Sequence, residues 1–211
     1  MRMSSPIFLD TIDEDAIAWY LSLGILGGVT TNPTLGTFDY LKIAKLIDPL
    51  PLSLEVITNG VDMLDQARSI AMIAPNVVVK IPVHGPDGET ENLDVIRRLF
   101  PANIVNATAI MSPIQGLAAA LAGASYVSLF AGRVANMGYD ATREISKLRT
   151  LLDAHSPRTK IIAASSREAY NITEWLLAGA DIVTVTPEIL RAALVHPYTK
   201  ETVRQFLEAA K

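Results

Sequence analysis

Residues 99–132 read LFPANIVNATAIMSPIQGLAAALAGASYVSLFAG, and no charge falls anywhere among them. That is long enough for a membrane-spanning helix. Its polar content argues otherwise, since Asn103, Asn106, Thr108, Ser112, Pro113, Gln115, Gly116, Gly123 and Ser125 all interrupt it. The β-branched run IVNATAI (104–110) gives way to an Ala/Leu-rich run, a change of period from strand to helix. Ser112–Pro113 suits a helix start and Gly123 a helix stop. The stretch predicts a buried strand–helix–strand unit.

Outward from this unit the same alternation continues. Strand-like runs occur at PIFLD (6–10), GGVTT (27–31), LSLEVI (52–57), NVVVKIP (76–82), IVNATAI (104–110), YVSLF (126–130), KIIAAS (160–165) and DIVTVT (181–186). Helix-like segments lie between them, among them 13–23, 61–74, 89–99, 113–122, 141–154 and 166–177. Asp13 before EDAIAW and Ser165 or Ser166 before REAY offer further caps, and Gly24 and Gly179 further stops. No linker, charge block or low-complexity tract breaks the pattern. Strands alternating with helices predict a parallel sheet, and eight repeats in 211 residues predict a closed (β/α)8 barrel of the TIM type. The whole chain, 1–211, reads as one such domain ending in a helix. A doubly wound open sheet would carry a Gly-rich phosphate turn after its first strand, and DTIDED (10–15) is nothing like one.

Half of the residues are apolar and the mean hydropathy is +0.29, so a large core can be buried. Eighteen Lys and Arg against 22 Asp and Glu leave a net charge of −4, which argues against a nucleic-acid surface or a polybasic membrane patch. With no cysteine, disulfides, iron–sulfur clusters and thiolate zinc sites are excluded. The start, MRMSSPIFLD, lacks the apolar core of a signal peptide. A soluble, cytoplasmic protein without nucleic-acid or membrane partners is expected. His84, His155 and His196 are scattered and read as neither ligands nor bases, so no metal is expected.

In such a barrel the active site forms at the C-terminal ends of the strands. Asp10 ends strand one, and Asn32 follows strand two. Glu55 lies near the end of strand three, and Lys80 near the end of strand four. Asn106 and Thr108 share a face of strand five, Ser128 and Phe130 a face of strand six with Arg133 just beyond, and Ser165 has the parity of Arg167. Several of these have plain alternatives. Asp10 could cap a helix, Asn32–Pro33 could be turn chemistry, Ser165 an N-cap, Ser128 barrel filler, and the arginines solvated charges. Lys80 and Glu55 resist that reading best. Each interrupts an apolar strand, VVVKIP and LSLEVI, where a charge is expensive unless paired or used.

A lysine inside a strand suggests a definite chemistry. At an unperturbed pKa near 10.4, about 1 in 2,500 amines is neutral at pH 7. Burial disfavours an ammonium and so produces a nucleophile able to attack a ketone. The Schiff base that results is an electron sink, so a neighbouring carbon–carbon bond can break. Carboxylates must move the protons, and Glu55 and Asp10 are placed to do so. Two arginines at the mouth, with Ser165 at a helix start, suit a substrate phosphate.

These residues carry a resemblance over nearly the whole chain. IFLDT, GVTTNPTL, LEV, VVVKIP, NAT, SPIQ, YVSLFAGR, AASSR, ADIVTVTPEIL and HPYT together resemble the transaldolase family, in its short subgroup with the fructose-6-phosphate aldolase-like proteins. The resemblance implies a class I aldolase barrel, free of cofactors, with its Schiff-base lysine on strand four. By it Lys80 is the nucleophile, and Asp10 acts on the hydroxyl whose deprotonation starts cleavage. Glu55 and Thr108 relay protons through a water. Asn32, Asn106 and Ser128 hold the dihydroxyacetone hydroxyls and the surroundings of Asp10, while Arg133, Ser165 and Arg167 bind phosphate. Phe130 and Glu55 stand where the aldolase branch carries Tyr and Gln. The family usually has a proline at Leu129, which bears on the loop to Arg133, and an alanine at Ile12.

The implied activity is transfer of a dihydroxyacetone unit, from sedoheptulose 7-phosphate to glyceraldehyde 3-phosphate, giving erythrose 4-phosphate and fructose 6-phosphate. That reaction belongs to the pentose phosphate pathway. An aldolase releasing free dihydroxyacetone is the near alternative, and a non-catalytic sugar-phosphate-binding barrel the distant one. The subgroup commonly forms decamers of two pentameric rings, so a homo-oligomer is expected, and the apolar fraction is compatible with large interfaces.

Overall fold

The computed structural model describes residues 5–57 and 63–211. Eight parallel strands follow one another around a closed barrel. They are β1 (Ile7–Asp10), β2 (Gly28–Thr30), β3 (Leu52–Glu55), β4 (Val77–Pro82), β5 (Val105–Ile110), β6 (Tyr126–Leu129), β7 (Lys160–Ala163) and β8 (Ile182–Val185), with β8 pairing back onto β1. Each lies inside its expected run. The uncharged stretch is β5, a helix and β6, and among the described residues no helix is long and apolar enough to cross a membrane.

The helices are α1 (Glu14–Ser22), α2 (Tyr40–Ile47), α3 (Met63–Ala71), α4 (Asn92–Leu99), α5 (Pro113–Leu121), α6 (Ala131–Asn136), α7 (Ala141–His155), α8 (Tyr170–Leu177), α9 (Pro187–Leu194) and α10 (Pro197–Ala209). Asp13 caps α1 as its spacing predicts, accepting from the amides of Asp15 and Ala16 at 3.0 and 3.1 Å. Ser112 stands at the N-cap of α5 without a side-chain capping bond, ahead of Pro113. Val61 and Asp62, expected to open the helix over 61–74, lie outside the described residues.

One expected cap is corrected. No helix begins at Ser165 or Ser166; α8 starts at Tyr170. The Ser165 backbone is left-handed, with φ 66°, and the Ser166 hydroxyl donates to the carbonyl of Thr184 at 3.1 Å. The amides of Arg167 and Glu168 both donate to Asn171 Oδ1 at 3.0 Å, so a polar turn replaces the helix's first turn.

Alternation along the strands sorts the core into two layers. Leu9, Val29, Leu54, Val79, Ile81, Val105, Ala107, Val127, Ile161 and Val183 share one continuous core with the inner faces of the helices. Residues of the other parity fill the barrel. At its floor Phe8, Ile162 and Ile182 cluster with Tyr126, and above them the inward positions become polar. Thr30, Ser53, Lys80, Asn106, Thr108, Ser128 and Thr184 are all buried. The apolar floor puts the polar groups at the C-terminal mouth.

Candidate active site

The mouth opens on a cavity of about 410 Å³. Its wall includes Asp10, Asn32, Glu55, Lys80, Thr108, Ser128, Phe130, Arg133, Ser165 and Arg167, every expected site residue except Asn106. The lysine is central. Glu55 and Lys80 are register partners on adjacent strands, so their inward side chains meet, and Nζ lies 3.0 Å from Glu55 Oε2. The amine also donates to the Thr31 carbonyl at 2.9 Å. Only 8 % of its side chain is exposed, so the charge is buried with two acceptors.

Asp10 sits on β1 within the field of both groups. Burial pushes its carboxyl above the usual range, against the pull of the Lys80 charge and of hydrogen bonds from Asn32 and Thr30; Glu55 adds to the rise. Asn32 serves two ends of one side chain. Its Oδ1 accepts from the amide of Thr34 (3.1 Å) and from the Thr34 hydroxyl, capping a short turn, while Nδ2 donates to Asp10 Oδ1 at 3.4 Å. One side chain thus makes both the turn contacts and the contact to Asp10. Thr108 Oγ1 is buried without a partner among the described residues and belongs to the cavity wall. Its bonding capacity is left for a substrate or a water.

The other side of the mouth is cationic. The Arg133 guanidinium lies 5.1 Å from the centroid of the Phe130 ring, a cation–π contact that steadies it. Among the described residues neither Arg133 nor Arg167 has a carboxylate partner, although other arginines do. Ser165 lies in the same wall. Leu129, where the family usually has a proline, ends β6, paired with Ala163 on β7 and, past a register shift in β5, with Ile110.

This chain matches the family model described as transaldolase/fructose-6-phosphate aldolase over residues 35–211. The chain belongs to that family. Its similarity extends to the probable transaldolases of Thermoplasma volcanium, at 38% identity over 96% of this chain and 93% of that one, and of Caulobacter vibrioides, at 39% over 96% and 94%. Among solved structures, the native KDPGal structure superimposes with a TM-score of 0.61 over 88% of this chain and 84% of that one. At 15% identity that likeness speaks for the barrel alone.

Membership of the family leaves the placement of individual side chains to the structure, and one differs from expectation. Asn106 does not line the cavity. It is wholly buried one layer down, two residues before Thr108 on β5. There it accepts from the Ser128 hydroxyl at 2.7 Å and donates to Ser53 Oγ at 3.4 Å. It acts on the wall through Ser128, not by touching the cavity itself. Thr30, Ser166, Thr184 and Thr186 also line the cavity; none is expected there from the sequence, where Ser166 reads only as a possible helix cap. Strand parity would have found Thr30 and Thr184, since each faces inward like Asp10 and Lys80. Among the described residues no group of three or more His, Asp or Glu is arranged to hold a metal ion.

Proposed function

We propose that the protein is a transaldolase that carries a dihydroxyacetone unit on Lys80 as a Schiff base. The observation that carries the reading is the buried amine of Lys80, 3.0 Å from a carboxylate at the mouth of the barrel. Attack of Nζ on the ketone of a ketose phosphate gives a carbinolamine. Glu55, the amine's own partner, takes and returns the proton, with the free Thr108 hydroxyl holding the water that leaves. In the iminium, Asp10 removes the proton of the hydroxyl beyond the breaking bond, and the electrons move into the iminium as an enamine. An aldose phosphate departs, and an acceptor aldehyde reverses the sequence. Ser128 and Asn32 hold the retained hydroxyls, and Arg133, Ser165 and Arg167 the phosphate.

The iminium supplies the electron sink that a metal supplies elsewhere, so activity is expected to survive EDTA. The same reading places the reaction in the pentose phosphate pathway and the protein in the cytoplasm. A homo-oligomer is part of it, supported by α10, which has no buried residue in the single chain.

Fructose 6-phosphate with erythrose 4-phosphate should be turned over to sedoheptulose 7-phosphate and glyceraldehyde 3-phosphate. Borohydride added with fructose 6-phosphate should leave one dihydroxyacetone-sized adduct, on Lys80. An adduct on another lysine removes the assignment. No adduct and no turnover would favour a barrel that only binds sugar phosphates.

A further inference from the structure

Arg133, in the first turn of α6, and Arg167, in the polar turn before α8, stand on two segments that meet backbone to backbone. The ladder between β6 and β7 runs past the ends of both strands. The Ala164 amide donates to the Leu129 carbonyl at 2.8 Å, and the Gly132 amide donates to the Ala164 carbonyl at 3.3 Å. One residue further on, the left-handed turn at Ser165 directs its carbonyl oxygen onto the Cα of Gly132. A methyl group at Gly132 would overlap that oxygen and come within 2.9 Å of the carbonyl carbon. Backbone atoms cannot swing aside as a long side chain can, so only glycine fits without moving α6 or the turn at Ser165.

Both segments are also held on their far sides. The Phe130 amide donates to the Ile110 carbonyl at 2.8 Å, and the Ser166 hydroxyl to the Thr184 carbonyl at 3.1 Å. Arg133 follows Gly132 directly, and Arg167 lies two residues beyond Ser165. The backbone positions from which the two guanidinium groups extend are therefore set where the two segments touch. A serine held at positive φ stays there only because its surroundings impose it. Here the surroundings are the Gly132 backbone and the Thr184 anchor.

We infer that Gly132 is a positioning residue for a phosphomonoester. By admitting the Ser165 carbonyl it fixes the separation of Arg133 and Arg167, and with it the preference for phosphorylated over unphosphorylated sugars. This rests on the reading that the two arginines receive the substrate phosphate. A charge-assisted contact depends on geometry, and a displacement on the order of 1 Å can cost about a hundredfold.

Gly132→Ala should raise KM for fructose 6-phosphate by at least about tenfold with kcat kept within a few-fold. Borohydride trapping of unphosphorylated dihydroxyacetone on Lys80 should proceed at the parent rate, which also reports an intact barrel. An unchanged KM, or equal losses on both substrates, overturns the inference. Ser165→Thr examines the same contact from the other side and covers a Gly132→Ala chain that fails to fold. It keeps the hydroxyl, but a β-branched residue resists the left-handed turn, so the same rise in KM is expected, and an unchanged KM counts against the inference. Arg167→Ala separates the two levels. If it penalises only phosphorylated substrate while Gly132→Ala does not, positioning by Gly132 is wrong and the phosphate site stands. If Arg167→Ala does not discriminate either, the phosphate site itself is wrong.

Discussion

Asp10 is a residue at which catalysis and stability pull apart. Its carboxyl is held above its ordinary value of 3.8 chiefly by burial, so the folded chain binds its proton more tightly than the unfolded one. Stability from this group is then fully present below the ordinary value and falls as pH rises toward the raised one. Asp10→Asn, neutral throughout, should melt higher than the parent at pH 8, and this advantage should vanish near pH 4. The same change should lower kcat by about 10²–10⁴-fold, the usual worth of a positioned acid or base. A melting difference that does not depend on pH would mean the carboxyl carries no such penalty. On the proposed mechanism Phe130 bears on a different matter, the fate of the enamine. If water is held beside the reacting carbon, it is protonated there and dihydroxyacetone leaves; if that place is dry, the enamine waits for an aldehyde. The Phe130 ring lies in the cavity wall under Arg133 and offers no hydrogen bond. Transfer to erythrose 4-phosphate should therefore be far faster than release, and Phe130→Tyr should raise release at the expense of transfer. Splitting of fructose 6-phosphate alone as fast as transfer would replace the transaldolase reading with the aldolase one.

At the scale of the element, β5 shows what a strand pattern can and cannot reveal. The alternation in IVNATAI predicts which side chains face inward, and Asn106 and Thr108 do so. It does not reveal the bulge. The register with β6 shifts between Ala107 and Ile110, and Ala109 takes φ 57° there, beside the free hydroxyl of Thr108. An alanine gives no local sign of a left-handed backbone, as a glycine would. Ser165, also left-handed, reads as a helix cap for the same reason. Nor does parity say how deep a layer sits, so the pattern predicts Asn106 at the mouth although it lies below it. A bulge next to a site re-aims a side chain, and here the side chain is Thr108. Ala109→Gly should remove a cost of about 1–2 kcal/mol, partly offset by about 0.4–1 kcal/mol of unfolded-chain entropy. Denaturant unfolding should show a small net gain with activity kept. Ala109→Val should cost at least about 1–3 kcal/mol and slow Schiff-base formation as Thr108 shifts. A neutral valine variant would mean the bulge is not needed.

Over the whole molecule the barrel is legible because buried strand-like runs and helix-like segments alternate eight times along the chain. The closing helix is expected from the sequence as well, but its partner is not, since nothing in a local pattern says what an amphipathic face will cover. Val203, Phe206 and Leu207 fall at i, i+3 and i+4, one face of α10. They are 47%, 69% and 63% exposed, and Tyr198 near the helix start is 78% exposed. A helix of this length is marginal in water without tertiary packing, so its stability has to come from burial. Covering each large apolar side chain is worth about 1.5–3 kcal/mol, and three per copy reach the range that offsets the cost of association. A second copy of the chain is the partner that the family resemblance implies. Sedimentation of the parent should exceed that of a monomer, and Phe206→Glu combined with Leu207→Glu should return it to monomer with reduced helix content. Because one chain builds the whole cavity wall described above, that monomer should still trap dihydroxyacetone on Lys80. A parent that sediments as a monomer removes the oligomer. A double variant that keeps the parent's sedimentation places the interface away from this face of α10.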